Sequence, residues 1–153
     1  ICTFNYENFV KTSAFYTKKW YDSNMFEVRV ETEFAAAHFL RDYHGKCENL
    51  HGHNYKVYAH ARGSLLNEGG MLIDFGELKN ALRKVCKVLD HTNLNDLVES
   101  GKFIFDQNPS AERIAQYIFE KLKEILPNAP LYAVDVFETD TSRARYIAET
   151  RNI

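Results

Sequence analysis

Cysteine is scarce in this sequence. The 153 residues hold three, Cys2, Cys47 and Cys86, too few and too odd a number for a disulfide framework, so a reducing compartment is expected. An excess of charge is missing too: 19 Lys and Arg stand against 21 Asp and Glu. The resulting net charge of −2 offers no footing for nucleic acid or an anionic membrane. No apolar run approaches the roughly 20 residues of a membrane span, and the first residues lack a charged-then-apolar signal pattern. These absences point to a cytoplasmic protein with no nucleic-acid or membrane partner, in which any anionic ligand must be met by a local basic cluster. What is present suits one globular domain with a real core: 45% of residues are hydrophobic and 26% charged.

Residues 1–25 are aromatic-rich but aperiodic, with Phe4, Tyr6, Phe9, Phe15, Tyr16, Trp20 and Tyr21. They form an N-terminal extension expected to pack on the main domain, residues 26–153, or on a neighbouring subunit. From Phe26 to Phe34 apolar and charged residues alternate, the period of a half-buried strand, and AAAHFL extends it with small residues where something else comes close. Positions 41–50 read as a loop, about 53–65 as a second strand, and MLIDF (71–75) as a short strand-like run. Asp74, with Glu77 three residues on, opens a helix whose stripe is Leu78, Leu82, Val85, Cys86 and Leu89. Cys86 is thereby a small core residue. Asn108 as cap and Pro109 as first helical residue start a second helix, which Pro127 stops. Strands at 131–139 and 142–150 follow, joined by a tight turn at Asp140-Thr141. The order strand-strand-helix-helix-strand-strand implies an α+β fold: a four-stranded antiparallel sheet with both helices on one face. Its exposed edges invite association with further copies.

The densest chemistry lies in residues 38–53, HFLRDYHGKCENLHGH. On an extended strand His51 and His53 project from one face and can address a single atom, while Gly52 permits close backbone approach. His38 could close a three-nitrogen site. Three neutral imidazoles with one open position form a catalytic rather than a structural zinc set. Isolated histidines satisfied on a surface or in a core remain the alternative. Cys47 is close enough to line the same pocket.

His38, the C-x-x-x-H-G-H run from Cys47 to His53, Asp90-His91 and Phe137-Glu138-Thr139, in this order along the strand-strand-helix-helix-strand-strand pattern, resemble the 6-pyruvoyl-tetrahydropterin synthase/6-carboxytetrahydropterin synthase family. The similarity covers roughly residues 26–150. It implies the T-fold (ββααββ), in which subunits join their sheets into a barrel and sites form between subunits of a tetramer or hexamer. It also implies a zinc enzyme acting on a small pterin, 7,8-dihydroneopterin triphosphate. By position, His38, His51 and His53 would hold Zn²⁺. Cys47 would be the general base, a task that requires the thiolate. Asp90 and His91 would form a second proton relay, and Glu138 would accept paired hydrogen bonds from the pterin edge. Each has a plainer reading: Asp90 as a helix-end residue with His91 as its dipole partner, Glu138 as a cross-strand surface charge. Ser110, where backbone N–H groups are free, is either a substrate contact or a local cap. His44 and His60 fall outside the matched positions and are expected to face solvent.

Glu48 follows Cys47 directly, so the chain also satisfies the E-x-x-H-G-H pattern of relatives that cleave the side chain to 6-hydroxymethyl-7,8-dihydropterin for folate synthesis; the alternative is a loop surface residue. The first expectation is the 6-carboxytetrahydropterin reaction of the 7-deazaguanine/queuosine pathway. Pyruvoyl-tetrahydropterin synthesis, folate-type cleavage and a non-catalytic pterin- or metal-binding T-fold module are the alternatives.

Overall fold

Two long strands, β1 (Phe26–His38) and β2 (His51–Gly63), pair antiparallel from end to end, Phe26 opposite Gly63 and His38 opposite His51. They belong to a computed structural model that describes residues 24–148, so most of the aromatic extension lies outside the described residues. The alanine run does continue the first strand. The second starts at His51, two residues earlier than the alternation suggested.

Helix α1 (Phe75–Leu89) follows, with Asp74 Oδ1 accepting the Glu77 N–H at 2.9 Å as its N-cap. A two-residue strand, β3 (Thr92–Asn93), then runs parallel to β1, and β4 (Val98–Glu99) and β5 (Lys102–Phe103) make a separate ribbon. Helix α2 (Ala111–Ile125) leads to β6 (Leu131–Thr139) and β7 (Ser142–Ile147). The main sheet is therefore five-stranded and mixed, in the order β3-β1-β2-β6-β7, rather than four-stranded and antiparallel. Its fifth strand is too short to leave a periodic trace in the sequence.

Both helices cover one face of this sheet. Val30, Phe34, Tyr55, Val57, Val134 and Val136 meet Leu78, Leu82, Leu89, Ile114, Ile118 and Leu122 in a single core. Cys86 is in that core as expected, and burial pushes its thiol up to about 12. Two local expectations fail for identifiable reasons. MLIDF forms no strand, because Met71 closes a turn on Asn67: its carbonyl accepts the Asn67 N–H and its own N–H donates to Asn67 Oδ1, both at 2.9 Å. Asn108 does not cap α2, because its side chain is committed elsewhere. Ser110 takes the N-cap position, without a side-chain capping bond, and Pro109 stays outside the helix.

His60 is also corrected. It is buried rather than solvent-facing, since its Nε2 lies 2.9 Å from Asp135 Oδ2 on the helix-free face of the sheet. Asp135, 3% exposed, accepts further bonds from Arg145 Nε (2.6 Å) and Nη2 (2.7 Å). Burial alone would raise its carboxyl, but Arg145 and His60 outweigh this and hold it below the usual carboxylate range. A lowered carboxyl stabilises the fold above its unfolded pKa of about 3.9 and loses that contribution as pH falls further. Thermal melting should therefore deteriorate on acidification below about pH 4. Asp135→Ala, which strands Arg145 and His60, should cost about 3–5 kcal/mol at neutral pH.

Candidate functional site

Strand alternation puts His38, His51 and His53 on the helix side of the sheet, at the end where β1 stops and β2 begins. One ligand-capable atom from each lies within 4.8 Å of the other two. The ring centroids are 4.6 Å (His38–His51), 5.3 Å (His38–His53) and 5.1 Å (His51–His53) apart. Gly52 eases the close approach of the two strands: a Cβ there would sit 3.3 Å from the Ala36 carbonyl oxygen, a tight contact.

Backbone carbonyls fix two of the three rings. His38 Nδ1 is 2.8 Å from the Pro109 oxygen and His51 Nδ1 is 2.8 Å from the Asn49 oxygen. A carbonyl can only accept, so both Nδ1 atoms carry the proton and both Nε2 atoms present lone pairs. His38 is 2% exposed, and burial lowers its pKa, favouring the neutral ring. Its Nε2 is buried with no hydrogen-bond partner. An orphaned lone pair beside two further imidazoles is what a metal seat requires, and a set of three neutral nitrogens suits Zn²⁺.

Glu138, near the end of β6, reaches this cluster, its Oε1 3.8 Å from His38 Nε2, and its side chain is 27% exposed. Tyr55 forms the floor, its ring 5.4 Å from that of His53. The Tyr55 hydroxyl is buried without a partner, and burial drives its pKa far upward.

The Cys47–Glu48 segment is a single 3-10 turn, Lys46–Glu48. It is tied to the end of β1 by the Leu40 N–H, which donates to the Cys47 oxygen at 2.8 Å. Cys47 is half-buried and unpaired, Glu48 is exposed, and neither belongs to the close group of ligand atoms. His44 is exposed as expected.

Asp90 and His91 stand elsewhere, at the outer edge of β1. Asp90 Oδ1 accepts the Ala35 N–H (2.9 Å), and the His91 N–H donates to the Ala35 oxygen (2.6 Å). Asp90 Oδ2 lies 2.9 Å from His91 Nδ1, and the His91 side chain is 81% exposed. The bond from Ala35, followed by the contact with His91, holds the Asp90 carboxyl below its ordinary range. His91 lines a cavity of about 520 Å³ together with Ala35, Ala36, Gly52, His53 and Asn54, so one wall of that cavity is a histidine of the cluster. Asp90 and His91 are thus paired at the edge of β1, outside the close group of ligand atoms but on a cavity that His53 also lines.

Asn95 is not singled out by the sequence, and Asn108 only as a helix cap. Asn95, 2% exposed, accepts the Phe39 N–H and donates to the Phe39 oxygen, both at 2.9 Å. Asn108 repeats this on Arg41 at 2.7 and 2.9 Å. Each amide imitates a neighbouring strand, and together they hold the backbone between His38 and the Cys47 turn. Only the polar residue type hinted at this; the pairing needs the fold.

A family model described as 6-pyruvoyl tetrahydropterin synthase matches residues 27–149. A 6-carboxy-5,6,7,8-tetrahydropterin synthase from Synechocystis is 38% identical over 130 residues, 81% of this chain and 95% of the relative. The solved 6-pyruvoyl tetrahydropterin synthase of Caenorhabditis elegans has a TM-score of 0.73 at 32% identity, covering 82% of this chain and 97% of that one. Plasmodium vivax 6-pyruvoyltetrahydropterin synthase has been solved with a catalytic glutamate replaced by alanine or by cysteine. Both structures give a TM-score of 0.65 at 29% identity, covering 81% of this chain and 98% of theirs.

Proposed function

The chain belongs to the 6-pyruvoyl tetrahydropterin synthase family, and from that premise we propose that it is a zinc-dependent 6-carboxytetrahydropterin synthase. With one molecule of water it converts 7,8-dihydroneopterin triphosphate to 6-carboxy-5,6,7,8-tetrahydropterin, acetaldehyde and triphosphate, a step toward 7-deazaguanine bases. The observation that carries this reading is the orphaned His38 Nε2, set among three imidazoles with the Glu138 carboxylate 3.8 Å away. The Synechocystis relative, matched over nearly its full length, favours the carboxy product.

His38, His51 and His53 would hold the zinc, which supplies Lewis acidity toward the oxygens of the substrate side chain. Glu138 orients the pterin by accepting two parallel N–H bonds, fixing its side chain over the histidines. Cys47, as thiolate, removes a proton from a side-chain carbon. The second proton passes through His91, which Asp90 orients through its Nδ1. Because His91 is exposed at the edge of the sheet, the pair serves the site of a neighbouring copy in a homo-oligomer. The outer side of β1 before Ala36 and the outer side of β7 have no strand partner among the described residues, which supports such an assembly. Ser110 keeps a side chain free of capping duty at the start of α2, as a substrate contact requires.

Mass-spectrometric identification of the product from dihydroneopterin triphosphate tests the assignment. Carboxytetrahydropterin with acetaldehyde is expected, and pyruvoyltetrahydropterin or hydroxymethyldihydropterin as the main product would replace it. A second activity has its own support: the exposed Glu48 beside Cys47, and a relative in which a glutamate is the catalytic residue. Glu48→Ala should selectively reduce hydroxymethyldihydropterin in the product mixture, whereas an unchanged ratio makes Glu48 a bystander.

The asparagine clamp has a measurable role in this scheme. Asn108→Ala removes two hydrogen bonds to Arg41, worth about 1 kcal/mol each. It should lower turnover by up to about 100-fold, since displacing a reacting group by ~1 Å costs that much. Metal content should stay intact, because His38 is held by the Pro109 backbone carbonyl rather than by the Asn108 side chain.

A further inference from the structure

An apolar hollow of about 390 Å³ lies between the start of β1 and the loop that leads into α1, far along the sheet from the histidines. Its walls are Phe26, Val28, Leu66, Met71, Leu72 and Phe75. Phe26, Leu66, Met71 and Phe75 are 46%, 41%, 43% and 61% exposed. Single exposed apolar side chains are normal, but a contiguous set marks a contact surface. The rim offers little to a polar ligand. Glu27 is already bonded to Arg62 and Tyr132, and Asp74 caps α1. A small-molecule site would present convergent free polar groups.

We propose that this hollow is the seat of the chain's own aromatic N-terminal segment, with Trp20 and Tyr21 as the inserted side chains. The segment ends where the hollow begins, because the polypeptide enters β1 at Phe26, which is itself a wall. Five residues separate Trp20 from Phe26, so the six Cα–Cα steps reach up to roughly 20 Å. Such a short tether holds the occupant at an effective concentration on the order of millimolar. Composition matches the seat. Residues 1–23, outside the described residues, carry seven aromatic side chains. One buried aromatic can remove about 150–250 Å² from water.

Trp20 is the only tryptophan of the chain, so its fluorescence reads the docking directly. In the full-length protein its emission should be blue-shifted relative to the denatured chain and poorly quenched by acrylamide. The double variant Leu66→Glu/Met71→Glu should shift emission to the red and raise the quenching constant severalfold, with far-UV circular dichroism unchanged. Leu66→Ser/Met71→Ser, a milder change at the same exposed positions, should give the same trend if the charged pair perturbs folding. Solvent-like emission from the unsubstituted protein overturns the proposal, as does shielding that both double variants leave intact. Shielding that disappears on dilution also overturns it, since the occupant would then come from a second copy.

Discussion

His51→Ala is expected to strip the metal from the protein. His51 supplies one of three mutually close nitrogens, and its Nδ1 is already spent on the Asn49 carbonyl. Alanine therefore leaves only two of the three imidazoles. Loss of an outer-shell partner alone costs roughly 10–100-fold in metal affinity, so loss of a ligand must exceed this. Zinc stoichiometry after gel filtration is the direct readout, and undiminished zinc would remove His51 from the ligand set. The same geometry gives a stability signature. With the metal chelated, the buried His38 Nε2 has no partner, a condition that costs about 1–3 kcal/mol. Chelation should thus lower the melting temperature of the unsubstituted protein, and it should have little further effect on His51→Ala.

Cys47→Ala should separate chemistry from metal binding. Cys47 lies outside the imidazole group, so zinc content should match that of the unsubstituted protein. Its turn is tied to β1 through the backbone oxygen rather than the thiol, so alanine should leave the loop in place. Turnover of dihydroneopterin triphosphate should fall by about 10²–10⁴-fold, the usual contribution of a positioned general base. Because the thiol is asked to act only on the reacting carbon, kcat should carry the loss and KM should change little. Full activity in Cys47→Ala would end its role as base and move attention to Glu48.

How legible the protein was in its sequence differs from element to element. The alternation of β1 and the apolar stripes of α1 and α2 could be read because each repeats over at least two periods. The histidine cluster could be read because strand geometry alone puts His51 and His53 on one face. Three things could not be read. Thr92–Asn93 joins the sheet as a two-residue strand, below any periodic signal. His60 is buried on a face that the alternation marks as polar, because Asp135 and Arg145, far along the chain, complete its environment. Asn108 looks like a helix cap locally, but a non-local demand takes its side chain, since the Arg41 backbone needs a partner. In each case the deciding contact joins residues distant in sequence, which a local pattern cannot contain.

The outer margin of β1 has a consequence for how copies of the protein can meet. From Ala35 to Arg41 its hydrogen-bonding groups are occupied by Asp90, His91, β3, Asn95 and Asn108. From Phe26 to Phe34 no strand lies against that side among the described residues. A visiting strand therefore has one permitted berth, at the end remote from the histidines, and cannot slide along the margin toward them. Registry along that margin is set by where the edge is already full.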